Sequence, residues 1–141
     1  MERFKKILKW TAMTIAVIGI FTGSIFLIVG FLTKDAVEVA NQELEVLRAG
    51  NIDSAYNTYT SQVLRDATPF ETFKSVIEKY PILQTNTRVR YTYKSISASE
   101  GVNLSGILSG PNNSQASIEI QLNKEGQSWK IIYLNVKPIS N

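Results

Sequence analysis

The chain has 141 residues, 44% of them apolar and 19% charged, with a net charge of +3 and neither cysteine nor histidine. That length holds one ordinary domain and an accessory segment; the two missing residue types exclude thiol catalysis and a disulfide framework, and remove the commonest general base and transition-metal ligand. The excess charge is confined to residues 1–9, where Arg3, Lys5, Lys6 and Lys9 stand against Glu2, while the remaining 11 basic and 11 acidic residues balance, which excludes the broad positive footprint of a nucleic-acid binder.

Behind the basic tail, Trp10 to Leu32 is a run of 23 residues without a charge. As a helix rising about 1.5 Å per residue it covers the roughly 30 Å hydrocarbon core of a bilayer. A cleaved signal peptide shares the basic start, but its apolar core is only about 7–15 residues and ends at a small-x-small site. The flank TKDAVEVAN supplies no good site of that kind, so the run predicts an uncleaved signal anchor with the lipid bilayer as its partner. The lysine and arginine bias places the N-terminus in the cytoplasm and everything after Leu32 outside it, a single-pass protein of the cell membrane. Ala12, Ala16, Gly19, Gly23 and Gly30 fall on one helical stripe. The pair Gly19 and Gly23 forms a GxxxG motif, a face for close packing against a second copy or another membrane protein. The competing reading is that small residues are simply frequent in membrane helices.

From Thr33 the pattern becomes amphipathic: Ala36, Val37, Ala40, Leu44 and Leu47 form a buried stripe, Asp35 and Glu38 open it, and Gly50 ends it. A second helix is predicted over Ile52 to Arg65, capped by Asn51 or Asp53, with Ile52, Ala55, Tyr56, Tyr59, Val63 and Leu64 apolar. A third opens at TPFE, where Thr68 would cap, Pro69 take the first helical position and Glu71 complete a capping box, and it stops before Pro81. After Thr87 the period drops to two, and RVRYTYKSIS, GVNLSGILS, QASIEIQLN and SWKIIYLNV read as four strands joined at SEG, GPNNS and KEGQ. The predicted fold class is α+β: one N-terminal transmembrane helix, then about three helices packed on a four-stranded antiparallel sheet. The predicted division is a cytoplasmic tail over 1–9, a transmembrane helix over 10–32, a juxtamembrane helix start over 33–40 and an extracytoplasmic domain over 41–141.

The stretch LRAGNIDSAYNTYTSQVLRDATPFETFKSVIEKYP, followed by the sheet and its closing GQSWKIIYLNV, resembles the nuclear-transport-factor-2-like, cystatin-like superfamily of cone-shaped α+β domains. It is similar in particular to small bacterial modules set behind one membrane helix. The likeness covers roughly Asn41 to Val136 and rests on the Ala-Gly-Asn-Ile-Asp helix connection, the Phe70 and Phe73 helix, and Trp129 on the last strand. Many members place a strand soon after the first helix, and none is predicted here. The superfamily holds binding and scaffold domains as well as enzymes resembling ketosteroid isomerase, whose chemistry needs a desolvated carboxylate inside the cone.

Glu119 is the only acid within a predicted strand, and its alternation with Ile118 and Ile120 turns it to solvent. Tyr56, Tyr59, Phe73, Tyr91, Tyr93, Trp129 and Tyr133 form the candidate ligand pocket, set against the plainer expectation of core packing with hydroxyls at the edge. In RVRYTYK, strict alternation puts Arg88, Arg90, Thr92 and Lys94 on one face and Val89, Tyr91 and Tyr93 on the other, separating charges from rings. The pairs Asp35 with Glu38 and Glu43 with Glu45 read as helix-surface charges. No phosphate loop, dinucleotide fingerprint, EF-hand or zinc pattern occurs, so no catalytic residue, metal ligand or cofactor is expected. Asn103 and Asn112 begin glycosylation sequons. These readings lead to a membrane-anchored extracytoplasmic binding or scaffold module, accessory to a membrane or envelope complex. The alternative is an isomerase-like or hydrolase-like enzyme with a small apolar pocket.

Overall fold

The computed structural model describes Gly30 and residues 32–139. The predicted tail and nearly all of the predicted span, with Ala12, Ala16, Gly19 and Gly23 of its stripe, lie outside these residues. Among the described residues no helix is long and apolar enough to cross a membrane.

Helix α1 runs without a break over residues 32–48 and buries Thr33, Ala36, Ala40, Glu43, Leu44 and Leu47. Gly50, at φ +77°, closes it: its N–H donates to Leu47 O and the N–H of Asn51 to Val46 O, a turn that an L side chain would strain. Asn51 then caps the next helix, its Oδ1 accepting from Ser54 N at 3.1 Å.

The predicted second helix is broken in two. A short α2, Ile52–Ser54, widens into a π-turn over Ala55–Tyr59, and α3 covers Gln62–Ala67. Between them Thr60 is extended and bridges Ile131 in parallel, and the N–H of Ser61 donates to Ile131 O at 2.8 Å. Pairing with the last strand outcompetes helical continuation here, and Ser61 restarts the helix by accepting from Leu64 N. The capping box at Thr68 does not form either. The N–H of Thr68 ends α3 on Leu64 O and its carbonyl accepts the Tyr56 hydroxyl, so α4 starts one residue later, at Phe70–Lys79, with no side-chain cap. A further short helix, α5 (Ile82–Thr85), follows Pro81.

Strands β1 (Arg88–Ser97), β2 (Gly101–Ser109), β3 (Gln115–Glu125) and β4 (Ser128–Pro138) form an antiparallel meander in chain order. On its inner face Val102, Leu104, Leu108, Ala116, Ile118, Ile120, Leu122, Ile131 and Val136 join α1, α4 and α5 in one apolar core. That is the predicted α+β arrangement of helices with a four-stranded antiparallel sheet. The outer face carries the polar half of each strand.

Candidate functional site

Both edge strands carry a β-bulge. In β1, Tyr91 pairs with Gly106 and Tyr93 with Ser105, leaving Thr92 as the extra residue. In β4, Ile131 pairs with Leu122 and Tyr133 with Gln121, leaving Ile132 extra. An extra residue reverses the alternation that follows it. Without the bulges, Tyr93 would follow Tyr91 inward and Tyr133 would follow Ile131 into the core. With them, both tyrosines stand on the outer face, 58% and 43% exposed. The strict-alternation reading of RVRYTYK is corrected accordingly: Tyr93 shares its face with Arg88 and Arg90.

Register places two rows of side chains side by side across this face. One is Tyr93, Ser105, Glu119 and Asn135; the other is Ser95, Asn103, Gln121 and Tyr133. Tyr93 sits on one edge strand and Tyr133 on the opposite one, three strand spacings or about 14 Å apart. Between them lies a groove of about 440 Å³, lined also by Glu100. Its charged side chains are Glu100 and Glu119, and no lysine or arginine lines it. Glu119 Oε2 accepts from Asn135 Nδ2 at 3.2 Å, which orients the carboxylate. Asn103 Oδ1 is shielded and has no donor. Farther along the same face a smaller cavity of about 180 Å³ is lined by Arg88, Arg90, Ile107, Ser109 and Gln115.

A second cleft, about 370 Å³, opens between the start of α1, the π-turn and the β3–β4 hairpin. Asp35 and Glu38 line one wall and Tyr59, Lys124, Trp129 and Lys130 the other. Its cations are engaged internally: Lys124 Nζ stands 5.5 Å from the centroid of the Trp129 ring, and Lys130 Nζ donates to Thr58 O.

Glu43 departs from its reading as a surface charge. It is 2% exposed on the buried stripe of α1, and its Oε1 has no partner. Desolvation pushes its carboxyl up to about 8, so at neutral pH it is mostly protonated. Tyr91, whose hydroxyl donates to Asn41 Oδ1 at 3.1 Å, is held above the usual tyrosine range by burial and by the Glu43 charge. None of the three cavities described above includes Glu43 in its lining. The spacing Ala36, Ala40, Glu43, Leu47 is the 4-3-4 step of a buried stripe, and that was the signal in the sequence.

The seven aromatic candidates therefore occupy four places. Tyr56 and Phe73 pack in the core with ring centroids 5.3 Å apart, and the Tyr56 hydroxyl donates to Thr68 O at 2.8 Å. Tyr59 and Trp129 line the charged cleft, Tyr91 faces α1, and Tyr93 with Tyr133 flank the outer groove. Glu119 is solvent-facing as the alternation predicts, and it also lies at the centre of the groove. Of the small-residue stripe, Gly30 is described, helical and exposed. The family described as a domain of unknown function, DUF4864, matches residues 32–138, well over half of the chain, and the chain belongs to that family. No curated protein and no solved structure matches it.

Proposed function

We propose that this member of the family is a membrane-anchored binding module whose domain lies outside the cytoplasm and works through the outer face of its sheet. One observation carries the reading. An open, polar groove flanked by two exposed tyrosines lies on the face opposite the core, and both tyrosines owe their position to bulges. Bulges are enriched where a strand re-aims a side chain for use. The anchor rests on the 23-residue uncharged run and the orientation on the basic tail ahead of it. Within the bilayer, the stripe of Ala12, Ala16, Gly19, Gly23 and Gly30 supplies a packing face for a second copy or another membrane protein, which makes the module an accessory of a membrane complex.

A photo-crosslinking residue at Gln121 in the full chain, activated in intact cells, tests the binding surface. Adducts are expected, and Tyr93→Ala with Tyr133→Ala should abolish them. No adduct, or one indifferent to both tyrosines, overturns the reading. Protease added to intact cells tests the topology: the domain should be cut along with an external control, and its survival places it in the cytoplasm.

The second reading, an isomerase-like or hydrolase-like enzyme, is favoured by Glu43, a neutral buried acid with an unpartnered oxygen. It requires an apolar cavity reaching that carboxyl. Xenon-pressurised crystals of the full chain would reveal one as ordered gas beside Glu43, and an empty map there removes the enzyme.

A further inference from the structure

Resting on the reading of the groove as the binding surface, we infer its ligand class: a polyhydroxylated polymer, a glycan strand laid diagonally across the four strands from Tyr93 to Tyr133. Length argues for a polymer. The two tyrosines stand on opposite edge strands, whose backbones are three strand spacings or about 14 Å apart, a span that a chain of linked rings bridges and a single small metabolite does not. Chemistry argues for sugars. An exposed tyrosine offers a flat π-face to the C–H face of a pyranose while its hydroxyl meets the ring substituents. Between the platforms Ser105, Asn103 and Gln121 each both donate and accept, which suits hydroxyl groups that do the same. Glu119 is held through one oxygen by Asn135, leaving its other oxygen for a charge-assisted hydrogen bond from a ligand hydroxyl.

The same lining argues against other ligands. Two carboxylates and no cation repel a phosphate backbone from the groove. An extended peptide gains main-chain pairing along an edge strand, because the backbone groups of β2 and β3 are already committed on both sides. Crossing the face would give it none.

The experiment is titration of the full chain, held in micelles of a detergent without a sugar headgroup, with cellohexaose, maltohexaose and chitohexaose, followed by calorimetry and saturation-transfer NMR. At least one hexasaccharide should bind, and its disaccharide should bind at least about tenfold more weakly. Tyr93→Ala and Tyr133→Ala should each weaken binding about tenfold, near the upper end of what an aromatic contact contributes. Tyr59→Ala, in the charged cleft, should leave it unchanged. Failure of all three hexasaccharides to bind overturns the inference, as does binding that both tyrosine variants leave intact. If the Gln121 adduct still forms in cells while no saccharide binds, the groove remains the binding surface and only the ligand class falls.

Discussion

The two faces of the sheet are made from the same four strands and serve opposite ends. Inward, nine aliphatic residues are at most 5% exposed and pack against the helices. Outward, the groove presents serine, asparagine, glutamine and glutamate between two flanking tyrosines. The inner face supplies stability by removing apolar area from water. The outer face adds little to stability, so its residues are free to be chosen for contact. The bulges at Thr92 and Ile132 are where the two sets exchange members, since each moves an aromatic residue from the inner to the outer set.

The sharpest test of this contrast uses neighbours on one strand. Leu122→Ala removes a fully buried side chain and should cost about 3 kcal/mol in denaturant unfolding. Gln121→Ala, one residue away and outward, should change stability by no more than about 0.5 kcal/mol. A comparable cost at Gln121 would mean that something covers the outer face and would break the comparison.

Glu43 is the place where the inner set violates its own rule. Its carboxyl is neutral in the fold but ionised in the unfolded chain between the ordinary value of 4.5 and about 8. Its contribution to stability is therefore full below pH 4.5, declines as the pH rises through that window, and has gone above pH 8. By pH 7 the loss is roughly 3 kcal/mol. Glu43→Gln should flatten the profile and leave the variant more stable than the parent at pH 7 by a similar amount. An unchanged slope would return Glu43 to the solvent.

How much of this was legible depended on whether the residues obey a period. All four strands and their turns lie where the alternation put them, because buried and solvent-facing positions alternate over residues 102–109 and 115–123, with Ile107 the one apolar residue turned outward. Glu43 was hidden by its type: the stripe spacing marked position 43 as inward, but a carboxylate there is costly enough that the eye assigns it to solvent. The break at Thr60 was hidden because it depends on Ile131, which is 71 residues away and supplies the competing hydrogen bond. The groove was hidden for a third reason. A bulge leaves no residue signature of its own in RVRYTYK or WKIIYLNV, and strict alternation through those stretches assigns both tyrosines to the wrong side.

That last failure yields a test in which the expected effect is the smallest. If Thr92 is the extra residue, deleting it restores two-residue alternation from Tyr91 onward: Tyr91 still pairs with Gly106 and faces inward, and Tyr93 still meets Ser105 and faces out. The deletion should fold, lose only the weak contact of the Thr92 hydroxyl with Ser105 O at 3.4 Å, and change stability by about 1 kcal/mol or less. Deleting Ser95 instead, in the regular part of the same strand, should reverse the facing of every residue on one side of the cut and cost far more. Amide exchange on the two variants separates the outcomes, since the β1–β2 ladder should stay protected in the first and open in the second. Equal damage from both deletions would mean that β1 runs without a bulge. Tyr93 would then return to the inner face, and the groove would lose one of its two walls.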